Sequence, residues 1–514
     1  MTSNLTTLLV KTISAAFVGM VVTLSFSPYK NWPLAIISPL FLFLLLNKCS
    51  EKLALLIGYA WGIGEFSTSI SWIHSSIYNF SDMNKFTSLF LVILLIAYLS
   101  TYSAFFSWTL NKFFSKNNKI RFFLAIPSLW LIFDWLQGWI MTGFPWLWLG
   151  YSQIESPLAN FAPLGGVEFI TFIVILCSSS IAFSIIQKVW ITLLIPIVAM
   201  MTGCILNNID WVTVNPNNVT KIALIQGNID QTTKWLPNQR WPTIIQYTDL
   251  TQKNWDSDII IWPEAAIPAF EDEIPLFLQY LDLSAKTHNS SIITGILSRS
   301  EDKIKHYNSI LVIGNEKPEK YDRNSNQRYN KYHLLPFGEF IPFRNILKPF
   351  GAILNLPMSS FSQGNFIQKN ININGTYMAP ALCYEIIFNE RLRKNITNDT
   401  DFILTLSNDT WFGDSIGPFQ HMNIARMRAK ELGKPLIRAT NNGITAITDH
   451  NGNIIKKIAQ FKTAVLKTEL TSTYGKTPYT FIGSWPLYIL VFLSLFVSFF
   501  KQYAPNLKQI AHFK

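Results

Sequence analysis

Apolar residues come in runs of about twenty through the first 210 positions. The runs lie at 9–28, 32–47, 53–73, 86–110, 122–140, 162–187 and 189–207, and one more follows at 481–500. Twenty helical residues rise about 30 Å, the thickness of a bilayer's hydrocarbon. The pattern therefore predicts a multi-span α-helical membrane domain of about eight spans. The first run lacks a small-x-small cleavage site and a second run follows at once, so it reads as a span rather than a removed signal.

From 211 to 475 the pattern shortens to β-like runs of about five residues separated by helical stretches. Strands are expected at 221–225, 258–262, 291–295, 309–313, 378–383, 402–406 and 444–448, and helices at 241–255, 273–288 and 419–433. Gly433 suits a left-handed helix cap, and Asp449-His-Asn-Gly-Asn453 suits a hairpin turn. Alternating strands and helices predict a layered α/β domain, and the wholly apolar strands predict sheets covered on both faces. The chain thus divides into a membrane domain (1–210), an α/β domain (211–475) and a last helix with a short tail (476–514). The polar stretch 317–328 reads as an exposed loop.

Charge changes the picture in one respect. Charged residues make up only 14% of the chain, and the net charge is +11, but the basic residues lie between apolar runs, which argues for topology rather than nucleic acid. With eight spans, one side receives Lys11, Lys48, Lys52, Lys112, Lys116, Lys119, Arg121, Lys188, Lys501, Lys508 and Lys514, and the other only Lys30 and Lys85 in its short loops. Both termini are then cytoplasmic, and the α/β domain is extracytoplasmic, which is the periplasm beside an inner membrane.

Three carboxylates, Glu65, Asp134 and Glu168, fall in or near the spans and read as isolated, held by structural pairing rather than forming a proton path. The uncharged, aromatic segment Trp139–Gln153 has two readings. It is an interfacial aromatic belt, or a lipid-handling surface with Trp146 at a lipid-facing entrance. Cys49, Cys177 and Cys204 read as small buried hydrophobes, and the lack of a C-x-x-C pair with few histidines argues against zinc.

Cys383 differs, because it ends an apolar run in the one large polar region. Glu264, ending Asp258-Ile-Ile-Ile-Trp-Pro-Glu264, and Lys331, in Tyr329-Asn-Lys331-Tyr-His-Leu-Leu-Pro-Phe-Gly-Glu339, stand at comparable strand or loop ends. Taken singly, each is more often a core thiol, a solvated carboxylate or a surface ammonium. Together they make an acyl-transfer set, with the thiolate as nucleophile, Glu264 as general base, and Lys331 favouring the thiolate and then the oxyanion. The backbone N–H of Tyr384 is a second oxyanion donor by position.

These three motifs, Trp262-Pro-Glu264, Lys331 before Leu335-Pro-Phe-Gly-Glu339, and Cys383-Tyr-Glu385, resemble those of the nitrilase superfamily, whose Glu–Lys–Cys triad sits on an αββα sandwich. Over nearly the full length the chain resembles that superfamily's bacterial membrane branch, the apolipoprotein N-acyltransferase family. Supporting pieces are Gln226-Gly-Asn-Ile-Asp-Gln with Trp235, Gly143-Phe-Pro-Trp-Leu, Ser407-Asn-Asp-Thr-Trp-Phe-Gly-Asp414 and Ala439-Thr-Asn-Asn-Gly443. The resemblance implies transfer of an acyl chain from a membrane phospholipid, through a thioester on Cys383, to the N-terminal amine of a diacylglyceryl-modified apolipoprotein. It further implies supporting roles for Glu339, Tyr384, Glu385 and Trp235, and calls for no metal or cofactor. Two other readings stay open on the residues alone. One is a membrane-tethered amidase using the same triad on a soluble amide, and the other is a transporter or receptor, which would need polar ladders across the spans.

Overall fold

The computed structural model describes residues 2–80, 83–315, 320–324, 327–342 and 360–511. The chain forms two compact units, one of Met1–His74, Asn84–Asp210 and Phe481–Lys514, the other of Ser75–Met83 and Trp211–Thr480.

In the first unit all eight apolar runs are helical, at Thr2–Val22, Leu34–Leu45, Glu51–Ser69, Lys85–Phe113, Ile126–Gln137, Ala162–Gln187, Leu194–Leu206 and Trp485–Ala511. Helix starts follow the side chains. Ser50 accepts from the Leu53 amide and Asn84 from the Thr87 amide, each filling an orphan first-turn donor. Among the described residues, four segments, Thr6–Ser25, Lys85–Phe113, Pro157–Gln187 and Trp485–Gln502, are long and apolar enough to cross a membrane, and a fifth results if Glu51–Ser69 and Trp72–Asn79, bent by 56°, count as one. The helices Thr2–Val22 and Glu51–Ser69 touch backbone to backbone, because a Cβ at Gly64 would lie 1.9 Å from the Ala16 carbonyl oxygen.

Two expectations for this unit need correction. Glu65 and Asp134 are not isolated: both line one cavity of about 30 Å³, room for about one water. Glu168 accepts a hydrogen bond from Ser484. Trp146 is only 1% exposed, with its ring 5.3 Å from that of Trp72. The large indole is core here. The exposed aromatics nearby are Trp135 and Trp139, stacked at 5.9 Å.

The second unit is a sandwich of two sheets. The first holds β1 (Thr213–Gln226), β2 (Ile259–Ile261), β3 (Ile267–Phe270), β4 (Ser291–Arg299), β5 (His306–Ile313) and β6 (Arg328–Asn330). The second holds β7 (Ile371–Ile373), β8 (Thr376–Leu382), β9 (Phe402–Ser407), β10 (Leu436–Thr440), β11 (Ala446–Thr448) and β12 (Ile454–Lys457). The last strand, β13 (Ala464–Tyr474), returns to the edge of the first. The orders are β13-β1-β2-β4-β5-β6, with β3 beside β4, and β12-β11-β10-β9-β8-β7. The centres are parallel: β1 beside β2 and β2 beside β4 in one sheet, β8 beside β9 and β9 beside β10 in the other.

The central strands are largely apolar because both faces are covered. Ile222 and Leu224 of β1 turn toward Met378, Leu404 and Leu406 of the facing sheet. Their neighbours Ala223 and Ile225 turn outward, to Ile244 and Tyr247 of helix Arg240–Gln252 and Leu278 and Leu281 of helix Pro275–Thr287. Each such buried aliphatic side chain contributes about 1.5–3 kcal/mol. Helix Gly417–Leu432 ends at Gly433, left-handed at φ 65°, whose N–H bonds the Ala429 carbonyl. Asp449–Asn453 turns between antiparallel β11 and β12. Part of the stretch 317–328 lies outside the described residues. Within the rest, Arg328 opens β6 and forms a 2.8 Å salt bridge to buried Glu271, so it is not a free loop cation.

Candidate active site

Glu264, Lys331 and Cys383 come from three places in the chain and meet at one end of the sandwich. Glu264 follows β2, Lys331 follows β6 and Cys383 follows β8. In an α/β sheet, strand ends are where loops can aim side chains outward without breaking the ladder.

Glu264 is 6% exposed. Its Oε1 accepts from Asn308 Nδ2 at 2.8 Å and Lys331 Nζ at 3.4 Å, and its Oε2 accepts from the Asn408 amide at 2.9 Å. The turn that presents it is tight. Ala265 is left-handed at φ 46°, and the turn lies so close to β4 that a Cβ on Gly295 would sit 2.4 Å from the Ala265 nitrogen.

Lys331 is 2% exposed. Its ammonium also donates to Glu339, at 2.8 Å to Oε2 and 3.0 Å to Oε1. Burial pulls its pKa down, but the Glu339 and Glu264 carboxylates outweigh it and hold the pKa above the usual lysine range. The ammonium therefore stays charged. Glu339 is fixed in turn by the Leu335 amide at 2.8 Å and Asn308 at 3.0 Å.

Cys383 is partly exposed and left-handed, with φ 52°. A non-glycine residue there stores on the order of 1 kcal/mol of strain, which neighbours must hold. They do so on both sides. The Leu382 amide donates to Glu385 Oε2 at 2.8 Å, and the Cys383 carbonyl accepts from His421 Nε2 at 3.1 Å. Burial pushes the thiol pKa up, Glu264 pushes it further, and Lys331 offsets only part. Lys331 favours the thiolate, as the sequence suggests, but does not win. The resting group is a thiol with a carboxylate nearby to receive its proton.

Glu385 is fully buried and saturated. It accepts from the amides of Leu382, Tyr332 and His333 and from the Tyr329 hydroxyl, all at 2.7–2.9 Å. It thus ties the Lys331 loop to the Cys383 strand end without touching the ammonium. Tyr384 is 6% exposed and packs edge-on to Phe388 at 5.4 Å. Trp235 forms one wall of a cavity of about 290 Å³, with Pro268, Ala269, Phe270, Leu297 and Phe361 among its other walls. The structure thus gathers Glu264, Lys331, Glu339, Cys383 and Glu385 into one polar constellation, while Trp146 belongs to the other unit.

Several residues here were given no role by the sequence alone, although Ser407 and Asp409 lie in one of its motifs. Asn308 bridges Glu264 and Glu339; its signal was an amide at the polar start of a strand that ends apolar. Asp409 is 1% exposed and accepts from Ser407 Oγ at 2.6 Å and Arg438 Nη2 at 2.8 Å. Burial works against its charge, but Arg438 above all holds its carboxyl well below the usual range. His421, fully buried, lies between Arg438 and Cys383. Because Arg438 Nη2 donates to its Nδ1 at 2.9 Å, the ring proton belongs on Nε2, which donates to the Cys383 carbonyl. Burial, then Arg438, lowers the His421 pKa, consistent with that neutral tautomer. Ser407, which donates to Asp409, also favours the thiolate of Cys383 and so links the two networks.

Residues 18–180 match the family model described as the apolipoprotein N-acyltransferase N-terminal domain, and residues 221–479 match carbon-nitrogen hydrolase. The apolipoprotein N-acyltransferase of Vibrio parahaemolyticus is 58% identical over 486 residues, covering 95% of this chain and 96% of its own. That of Vibrio cholerae is 55% identical over 502 residues, covering 98% and 99%. Among solved structures, Saccharomyces cerevisiae Nit3, a nitrilase-superfamily member, is similar over 49% of this chain and 90% of its own, at 17% identity and a TM-score of 0.36.

Proposed function

The chain belongs to the apolipoprotein N-acyltransferase family, and from that premise we propose how its catalytic unit moves an acyl chain. The protein is an acyltransferase of lipoprotein maturation whose apolar helices suit a membrane protein. The donor is a membrane phospholipid. Sγ of Cys383 attacks the donor's ester carbonyl carbon while Glu264 takes the thiol proton. The oxyanion faces the Lys331 ammonium and the Tyr384 amide. The C–O bond then breaks, Glu264 returns its proton to the leaving glyceryl oxygen, and a lysophospholipid departs from a thioester on Cys383. In the second half, the neutral α-amine of an S-diacylglyceryl-cysteine attacks the thioester. Glu264 accepts an amine proton, the amide forms, and the thiol is restored.

The observation that carries this reading is the Lys331 ammonium held at once by Glu264 and Glu339, next to a thiol that burial keeps protonated. A protonated nucleophile needs the adjacent base, and a fixed cation suits an oxyanion better than it suits a resting thiolate. Exclusion of water from a lipid-packed site favours transfer over hydrolysis.

The apolar runs and their lysine asymmetry support about eight spans, both termini in the cytoplasm, and a periplasmic catalytic domain on an inner membrane, with domains at 1–210, 211–475 and 476–514. The test of the chemistry is intact-protein mass spectrometry after mixing purified protein with a phospholipid of known chains and no acceptor. The expected result is a gain of one acyl chain, mapped to Cys383 and absent in Cys383→Ala. Turnover of small amides without an adduct would replace this reading with an amidase.

A further inference from the structure

Lys234 sits beside this chemistry without an assigned part in it. It is 1% exposed, yet its ammonium makes no salt bridge or hydrogen bond among the described residues. Its contacts are the Trp235 ring, 5.8 Å from Nζ, and the field of Glu264. A buried ammonium held only by a ring face and the field of one carboxylate is costly to a fold. Burial brings its pKa down to about 8, with Glu264 resisting the fall, so it still carries a charge at neutral pH. The adjacent Trp235 holds a second orphan: its indole N–H is buried with no acceptor among the described residues.

The segment carrying these two donors is anchored to the catalytic constellation. Asn408 Nδ2 donates to Gln231 at 2.6 Å, while the Asn408 amide holds Glu264. The Asn228 amide bonds the Asn441 carbonyl at 2.7 Å, and the Ile229 amide bonds the Asn441 side chain at 2.9 Å. The segment that leads into Lys234 and Trp235 is therefore tied to the residues that hold the general base. An ammonium in such a setting suits an anionic oxygen.

The two lipids this site must handle differ in one relevant respect. Both carry acyl esters of glycerol, so the scissile group alone does not tell donor from acceptor. Only the donor carries a phosphodiester. Resting on the reading above, we infer that Lys234, with the Trp235 indole N–H, forms a subsite for the phosphodiester of the donor lipid and so selects donor from acceptor. Lys234 binds and orients the donor, and the bond-making atoms remain those of Cys383 and Glu264.

The test compares thioester formation from a phospholipid and from a diacylglycerol with the same chains, in the same mixed micelles, for wild type, Lys234→Met and Lys234→Arg. Diacylglycerol presents the glyceryl esters without the diester. Wild type is expected to acylate from the phospholipid at least about tenfold faster. In K234M that ratio falls toward one, and K234R restores most of it. A wild type without preference overturns the inference whatever the variants do. An equal loss on both donors in K234M, or a retained preference, also overturns it, because Lys234 would then serve Glu264 or the fold. No thioester from either donor in wild type would instead sink the underlying acyl-transfer reading, a distinct result.

Discussion

Cys383 stands between two polar networks built from the same materials, carboxylates beside buried cations, and they behave differently. On one side, Lys331 is shared between Glu264 and Glu339, and the Glu264–Lys331 contact is a loose 3.4 Å. On the other, Glu385 accepts four hydrogen bonds within 2.9 Å, and Asp409 is closed by Ser407 and Arg438. The Glu264 carboxylate, with its loose contact, has capacity left for a proton, while the carboxylates of the second network are filled, the unmet groups there, among the described residues, being N–H donors of Arg391 and Arg438. In the reaction proposed above, saturation of the carboxylate, not residue type, separates the groups that react from those that hold a strained nucleophile in place.

The sharpest way to break this contrast is to disable the reactive side. Glu264→Gln should slow thioester formation about 10²–10⁴-fold with donor binding little changed, read by single-turnover mass spectrometry. A loss under tenfold would remove Glu264 as the base. Lys331→Met should cost about 10²–10³ in the same assay. It should also lower the melting temperature, because two buried carboxylates lose the cation between them, a change worth about 3–5 kcal/mol.

Glu385→Ala tests the holding side. It strands three amides, the Tyr329 hydroxyl and the buried Arg391 guanidinium, 3.5 Å from its carboxylate, so the expected effect is about 3–5 kcal/mol of stability, seen as a melting shift. A variant that melts like wild type but fails to acylate would move Glu385 to the reactive side. Gly295→Ala should be milder in stability and harsher in rate, since its Cβ would press on the Glu264 turn at 2.4–2.7 Å. Thioester formation should fall by at least about tenfold, because small misplacements of a catalytic group are expensive.

Much of this was legible beforehand, for physical reasons. The strands 258–262 and 402–406 could be read because burial on both faces makes them continuously apolar, and the Gly433 cap because few residues take a positive φ. Glu264, Lys331 and Cys383 were legible because their motifs travel together. What stayed hidden was whatever depends on distant pairing. The edge strand β13 alternates weakly and gains its place only by pairing with β1. Short β3 and β6 are held by neighbours rather than by pattern. Arg438 reads as a stray charge inside a strand until His421 and Asp409 arrive from other elements. Trp146 misled because an aromatic segment between apolar runs looks the same whether its rings face outward or pack on Trp72.

The smallest expected effect concerns the proton on His421. With its pKa lowered in the fold, His421 is neutral where the unfolded chain, titrating near about 6.5, already binds a proton. Unfolding then takes up a proton, so stability should fall as pH drops below about 6.5, by at most about 1.4 kcal/mol per pH unit from this one group. Asp409 contributes in a separate window. Its depressed carboxyl stabilises the fold above about pH 4 and loses that contribution only as pH falls further. Between roughly pH 6.5 and 4.5 the two are separable. His421→Gln keeps an N–H for the Cys383 carbonyl but does not titrate, so it should flatten the decline of melting temperature across that window while retaining most thioester formation. His421→Leu should flatten it too, but lose the donor and slow acylation. If both variants acylate equally, the Cys383 carbonyl needs no donor, and the strained nucleophile is held from the Glu385 side alone.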